Sequence, residues 1–138
     1  MKNNKVRLII DTNLWISFLL SKDFSKLDVL FDNSKIVLLF SEELLDEFTE
    51  VARRPKFQKY FSPDILEDML NAINEYAEFI SVISTIALCR DEKDNFLLAL
   101  ACDGKADYLI TGDKDLLVLD KVQETKIITM SDFLDSQK

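Results

Sequence analysis

The sequence predicts an α/β fold, arranged as a three-layer α/β/α sandwich around a central parallel sheet. Four short apolar runs are rich in Val, Ile and Leu and do not alternate with polar residues, which is typical of strands buried on both faces. Segments with helical periodicity lie between these runs. Strands that alternate with helices imply parallel pairing, because each helix returns the chain to the starting end of the sheet.

Strands and helices are predicted in a regular order along the chain. The predicted strands are residues 6–10, 35–40, 107–111 and 126–129. The predicted helices are residues 14–20, 25–32, 42–54, 63–79, 94–104 and 131–136, and the β-branched stretch 78–88 is predicted to be extended. Ser41 is a candidate N-cap for the third helix, which ends before Pro55. Ser62 and Pro63 begin the fourth helix, and Gly104 is expected to close the fifth.

Length and composition favour one globular domain over residues 1–138. The chain has 138 residues, close to the commonest domain size, 48% of them are apolar, and Gly and Pro number two each. The polar start MKNNK lacks the apolar core of a signal peptide, and no apolar run approaches the ~20 residues that span a bilayer. We therefore expect a cytoplasmic protein without a membrane partner.

The chain contains no histidine, which excludes a Ser-His-Asp triad, a Cys-His pair and an imidazole zinc site. Its two cysteines, Cys89 and Cys102, are too few for a disulfide framework. Free cysteines are commonly buried, so we expect both to pack as small core residues.

The net charge of −8 would argue against a nucleic-acid partner if the charges were evenly distributed. Basic residues cluster instead in the stretch RRPKFQKY, with others such as Lys114 elsewhere; the cluster contains Arg53, Arg54, Lys56 and Lys59. A solvated surface is the simpler interpretation of this cluster, and a site for backbone phosphates is the alternative.

Polar residues follow the ends of three predicted strands. They are Asp11, Thr12 and Asn13 after the first, Ser41 after the second, and Thr111, Asp113, Lys114 and Asp115 after the third. In an open parallel sheet, ligands bind beyond the carboxyl ends of the strands. If the strands 6–10 and 107–111 are neighbours, Asp11 and Asp113 come to the same edge from distant parts of the sequence.

The helix after the second strand carries one acid at the border of its apolar face. At roughly 100° per residue, its apolar stripe consists of Leu44, Leu45, Phe48, Val51 and Ala52. Glu47 lies roughly 90° from the centre of this stripe, so it is the acid of this helix that is best placed to reach a crevice. Asp94 opens an apolar helix, where the helix dipole alone explains a carboxylate.

Each acid therefore has a simple explanation of its own: Asp11 as a cap, Glu47 as surface, Asp94 as a dipole partner and Asp113 as a turn residue. Gathered in one crevice, they would repel one another unless a cation neutralised them. Mg²⁺ and Mn²⁺ prefer oxygen ligands and can activate water for attack on a phosphodiester, which makes hydrolysis feasible without histidine.

Four hydroxyl and amide side chains next to these acids have two interpretations. Thr12, Asn13, Ser41 and Thr111 are either contacts of the metal site and its substrate or simple helix and turn caps. The sequence alone leaves both interpretations open.

The arrangement resembles the PIN-domain ribonucleases, and in particular the bacterial proteins of that family that belong to toxin-antitoxin systems. The motifs that carry the resemblance are, in order, IIDTN with Asp11, SEELLDEF with Glu47, CRDEKDNFLLALA with Asp94 and YLITGDKDLL with Asp113. The segment RRPKF after the second motif is also typical of this subgroup. The resemblance covers almost the whole chain.

The resemblance implies a Mg²⁺ or Mn²⁺ site made by these four acids and endonucleolytic cleavage of RNA. The candidates for RNA binding are then Arg53, Arg54, Lys56 and Lys114. Asp115 is an accessory candidate, and Asp91 competes with Asp94 for the third position. An antitoxin protein is an implied partner, and homodimers are common in the family.

Two other classes of function stay open. An aspartyl-phosphate phosphatase would also begin with an Asp after a strand, but Asn13 stands where the second Asp of its DxDxT pattern belongs. A non-catalytic metal- and RNA-binding protein would keep the acids without turnover. Metal binding without nuclease activity would favour this second alternative.

Overall fold

The computed structural model describes residues 5–21 and 35–136. The strands in these parts are β1 (Val6–Ile10), β2 (Ile36–Phe40), β3 (Glu78–Phe79), β4 (Tyr108–Ile110), β5 (Lys121–Val122) and β6 (Thr125–Ile128). The helices are α1 (Thr12–Ser21), α2 (Glu42–Ala52), α3 (Pro63–Tyr76), α4 (Asn95–Gly104), α5 (Lys114–Leu117) and α6 (Met130–Ser136), with 3₁₀ turns at Pro55–Phe57 and Glu92–Asp94. The predicted helix over residues 25–32 lies outside the described residues.

The strands form one sheet in the order β3-β2-β1-β4-β6-β5. All neighbouring pairs are parallel except β5 with β6. β1 lies between β2 and β4, where Leu8 is paired with Leu38 on one side and with Tyr108 on the other. Helices flank the sheet, so the predicted α/β/α sandwich with a central parallel sheet is confirmed.

An aromatic cluster joins α1 to β2 and α2. Trp15 is fully buried, and its ring centroid lies 5.5 Å from that of Phe40 and 6.1 Å from that of Phe48. Offset aromatic contacts at this range add to the stability that burial provides. Because Phe48 follows Glu47 in α2, this packing also fixes the helix that carries one of the predicted site acids.

The predicted caps form at the starts of α2 and α3. Ser41 Oγ accepts a hydrogen bond from Leu44 N at 3.1 Å, and Ser62 Oγ accepts one from Ile65 N at 3.3 Å. α2 ends at Ala52, before Pro55, and its buried residues Leu44, Phe48 and Ala52 belong to the predicted apolar stripe. Local sequence signals therefore determine where these two helices begin.

Two predicted helix ends are wrong. The helix predicted through residue 79 ends at Tyr76, because Glu78 and Phe79 pair with β2 as a short edge strand. α4 is closed by Lys105 in the left-handed conformation, with φ 52° and ψ 50°, rather than by Gly104. Gly104 serves close packing instead, since a Cβ at this position would lie 3.0 Å from Leu39 Cδ1.

The sequence analysis missed α5 and the antiparallel strand β5. The turn between β5 and β6 contains Gln123 at a φ of 48°, where hairpins usually place Gly or Asn. Without such a residue, the hairpin has no short-range sequence signal. Within the stretch 78–88, predicted to be extended, Glu78 and Phe79 form a strand, and residues 80–88 have no regular secondary structure.

None of the helices in the described parts of the chain is both long and apolar enough to cross a membrane. Cys89 is buried and Cys102 is partly exposed, and both are free thiols. The single domain over residues 1–138 stays a prediction.

Candidate active site

Parallel pairing of β1 with β4 brings two predicted acids to one edge of the sheet. Ile10 is paired with Ile110, and Asp11 N donates a hydrogen bond to Ile110 O at 3.1 Å. The strands therefore end side by side, and an open cleft of about 320 Å³ lies beyond them. The residues that line this cleft are Asp11, Asn13, Leu14, Ser17, Gly112 and Asp113.

Asp11 is buried, with 5% of its surface exposed, and both of its carboxylate oxygens accept hydrogen bonds. Oδ1 accepts from Leu14 N at 2.9 Å, which caps α1, and Oδ2 accepts from the hydroxyl of Thr111. Burial raises the pKa of Asp11, these hydrogen bonds lower it, and the charges of Asp113 and Glu47 raise it, with a net increase. The predicted cap exists, yet it holds a carboxylate whose charge is disfavoured by its surroundings.

Thr111 connects Asp11 to Asp113. While its hydroxyl donates to Asp11, its Oγ1 accepts from Asp113 N at 3.0 Å. Asp113 Oδ1 in turn accepts from Asp115 N at 2.8 Å, which caps α5. The turn around Asp113 is therefore held at both ends, and one threonine sets the spacing of two acids.

Asp94 has a position that helix capping does not explain. It precedes α4 at the N-cap position but makes no capping hydrogen bond. Its buried Oδ2 has no hydrogen-bond partner among the described residues. Burial, the adjacent carboxyl group of Asp113 and the charges of Asp113, Asp91 and Asp11 raise the pKa of Asp94 to about 7. A carboxyl group in such surroundings is stabilised by a proton or by a cation.

Glu47 completes the group from a different helix. It is half-buried on α2, and its Oε2 accepts a hydrogen bond from the hydroxyl of Thr12 at 2.8 Å. Thr12 follows Asp11 directly, and the charge of Glu47 contributes to the raised pKa of Asp11. The structure thus places Asp11 within electrostatic reach of Glu47, Asp94 and Asp113 at one end of the sheet.

Residues 7–115, which contain all four of these acids, match the family described as PIN domain. The chain belongs to the PIN domain family. The PIN domain is a nuclease-type fold, and its family consists generally of hydrolytic nucleases that typically use divalent metal ions and commonly bind RNA.

Over 124 residues, this PIN domain is 36% identical to the uncharacterized protein MJ1680 of Methanocaldococcus jannaschii, and the aligned region covers 86% of this chain and 78% of that protein. This relative is archaeal, and its name assigns no activity. Membership of the bacterial toxin subgroup therefore stays a prediction.

The accessory candidates of the PIN domain differ in their positions. Asn13 lines the cleft, and Thr12 and Thr111 hold acids of the site. Ser41 caps α2 and lines a separate groove of about 690 Å³. The half-buried Asp115 positions Asp113 through its backbone amide.

Asp91 and Asp94 differ in what their carboxylates contact. Asp91 is exposed, and its carboxylate accepts from Lys93 N at 3.1 Å to cap the 3₁₀ turn Glu92–Asp94. Asp94 is the one that lies against Asp113. This contact favours Asp94 for the third position.

The basic candidates are all exposed, and two of them contact neighbouring side chains. Arg54 forms an ion pair with Glu50 at 3.0 Å, and Lys56 Nζ lies 5.1 Å from the ring centroid of Phe57. Arg53 lines an apolar pocket of about 300 Å³. Lys114 follows Asp113 directly. Among the described residues, no Lys or Arg forms an ion pair with the acids of the cleft.

Two residues that the sequence analysis did not assign to the site support its third acid. Asn95 Oδ1 accepts a hydrogen bond from Cys89 N at 2.8 Å, and Cys89 Sγ donates to Asp115 O at 3.6 Å. Neither contact has a sequence signal, because both depend on how the loop before α4 turns.

The carboxylates fit an ion that needs few protein ligands. Across residues 5–21 and 35–136, no three acidic or cysteine side chains are already arranged to hold a metal ion. Mg²⁺ usually takes one or two carboxylates and keeps several waters. The buried Oδ2 of Asp94, without a donor and beside Asp113, suits such an ion.

Proposed function

We propose that this PIN domain is a Mg²⁺- or Mn²⁺-dependent endoribonuclease that hydrolyses RNA phosphodiester bonds in the cytoplasm. The observation that supports the proposal is the environment of Asp94. Its Oδ2 is buried without a partner among the described residues, and its pKa is raised to about 7. An acid held in this way destabilises the fold unless a proton or a cation accompanies it.

Asp94 and Asp113 are the proposed direct ligands of the ion, while Asp11 and Glu47 complete the negative site. When bound, a divalent ion supplies a Lewis acid and an activated water for attack on phosphorus. The other residues have positional roles: Thr111 spaces Asp11 from Asp113, and Thr12 holds Glu47.

RNA phosphates are the proposed ligands of Lys114, Arg53, Arg54 and Lys56. Lys114 is exposed and directly follows Asp113, so it adjoins one of the four acids in the sequence. To bind a phosphate, Arg54 must break its ion pair with Glu50. An exposed ion pair contributes only about 0–1 kcal/mol, so this exchange costs little.

The toxin role stays a prediction based on the resemblance of the four motifs. The same holds for an antitoxin partner and for a homodimer. The motifs identify the acids of the site, and they contain no information about which protein binds the chain.

The direct test is RNA cleavage by the purified wild type and by Asp94→Asn. Both proteins are incubated with a mixture of single-stranded and structured RNA in Mn²⁺, Mg²⁺ or a chelator. We expect the wild type to cut with either ion and not in chelator, and Asp94→Asn to be slower by about 100-fold or more. Asp68→Asn, which changes an exposed acid on α3, is the matched control and should cut at the wild-type rate.

The other outcomes are informative as well. Equal cutting by wild type and Asp94→Asn would contradict the proposed role of Asp94 and would indicate a contaminating ribonuclease. If Mn²⁺ raises the melting temperature of the wild type but no RNA is cut, the result favours the alternative of a non-catalytic metal- and RNA-binding protein.

A further inference from the structure

The loop that carries Asp94 is closed by a side chain from outside the acidic group. Asn95 Oδ1 accepts a hydrogen bond from Cys89 N at 2.8 Å. Between these residues the chain makes the 3₁₀ turn Glu92–Asp94, in which Asp94 N donates to Asp91 O at 3.0 Å. The Asn95 side chain therefore ties the start of α4 to Cys89 and closes the loop that contains Asp94.

Cys89 connects this loop to the loop of Asp113. Its side chain is 6% exposed, and its Sγ donates to Asp115 O at 3.6 Å. Asp115 N donates to Asp113 Oδ1 at 2.8 Å. A continuous series of contacts thus runs from Asn95 through Cys89 and Asp115 to the carboxylate that faces Asp94.

The Asn95 side chain does not act as a helix cap. A capping side chain accepts from a backbone amide in the first turn of its own helix. Asn95 Oδ1 accepts instead from Cys89 N, which precedes α4. The bond therefore fixes the loop before the helix.

We infer that Asn95 is a positioning residue that holds Asp94 beside Asp113, so that the two carboxylates bind one divalent ion. The inference rests on the proposed function, because it assigns Asn95 a role toward the ion of that site. It adds a residue that does not itself contact the ion. Partners of this kind orient the carboxylates that do.

The test compares Asn95→Ala with Asn95→Asp. Alanine removes the oxygen acceptor and favours the helix, whereas aspartate keeps an oxygen at the same position. The control is Asn74→Ala, which changes an exposed Asn on α3. Each protein is titrated with Mn²⁺ alone, and hydrogen exchange of the Cys89 amide is measured without metal.

We expect Asn95→Ala to bind Mn²⁺ about 10- to 100-fold more weakly than the wild type, with faster exchange at Cys89. Asn95→Asp should recover both properties, and Asn74→Ala should match the wild type. In RNA cleavage, Asn95→Ala should lower kcat and leave KM unchanged. If Asn95→Ala does not fold, Asn95→Ser replaces it, because its shorter side chain removes the bond to Cys89 but keeps a hydroxyl at the start of α4.

Three results would overturn the inference. Fast exchange of the Cys89 amide in Asn95→Ala with unchanged Mn²⁺ affinity would show that the bond between Asn95 and Cys89 orders the loop but does not affect metal binding. Recovery of Mn²⁺ binding by Asn95→Asp without protection of Cys89 would assign the effect to the added charge. A wild type that binds no Mn²⁺ would overturn the proposed function and this inference together, whereas the first two results leave the proposed function intact.

Discussion

Both ends of the parallel sheet carry acids, but within residues 5–21 and 35–136 only one end pairs them with a cation. Near the starts of β1 and β4, Arg7 donates through its backbone N to Asp107 at 2.8 Å, and its side chain forms an ion pair at 2.5 Å with Glu78, the first residue of β3. Arg7 Nε also donates to Gly104 O at 2.9 Å. At the carboxyl end, four acids meet, and no described Lys or Arg pairs with Asp11, Asp94 or Asp113.

The pKa directions at the two ends differ in the same way. The hydrogen bond from Arg7 lowers the pKa of Glu78, whereas burial and neighbouring acids raise the pKa of Asp94 to about 7. The first end uses its charges to join strands and a helix. At the carboxyl end, the acids repel one another, which destabilises the folded protein. Acids whose pKa is raised in this way indicate a candidate binding site, whereas acids paired with a cation are explained by structure alone.

The largest expected effect is on the rate of RNA cleavage, which should fall when an acid is changed at the carboxyl end of the sheet and not at the other end. Asp11→Asn removes a charge from the proposed site but keeps an oxygen that can accept from Leu14 N, so we expect a folded protein. Loss of several kcal/mol of transition-state stabilisation would slow RNA cleavage by about 10²- to 10⁴-fold. The matched change at the other end, Asp107→Asn, should leave the rate unchanged. Cleavage rates in Mn²⁺ measure both variants, and an equal loss in the two would mean that the ends do not differ in function.

A smaller effect is expected on stability without metal. The pKa of Asp94 in the folded protein lies above its ordinary value, so the stability of the wild type falls as the pH rises from about 4 through about 7. Asp94→Asn carries no such charge. It should be more stable by about 1–2 kcal/mol near pH 8 in chelator, with the gain shrinking toward about pH 4. Urea unfolding at both pH values measures this difference. An Asn variant that is less stable at pH 8 would show that the carboxylate has a structural role.

The smallest effect on stability is expected for the ion pair between Arg7 and Glu78. The pKa of Glu78 is lowered, so its contribution to stability is present above its ordinary pKa and is lost as the pH falls. The pair is exposed, so Glu78→Gln should cost only about 0–1 kcal/mol near neutral pH. RNA cleavage should not change. Urea unfolding and the cleavage assay test both statements, and a cleavage defect would place Glu78 in the functional machinery.

The sequence by itself determined the features that depend on local patterns. Apolar runs indicated the central strands, Ser41 marked the start of α2, and the apolar stripe placed Glu47 at the border of a buried face. These features are readable because hydrophobic periodicity and capping act within one or two turns of chain. The acids that follow the strands were also visible, but each kept a simple local explanation.

Only the tertiary structure decided how those acids relate to one another. The register of β1 against β4 places Thr111 between Asp11 and Asp113. The hydroxyl of Thr111 donates to Asp11, although the two residues are 100 positions apart in the sequence. The loop closed by Asn95 turns Asp94 toward Asp113 instead of toward the amides of α4. A shift of one residue in strand register would send the same side chains to the opposite face, so no local pattern can determine these contacts. They depend on which distant backbones lie side by side.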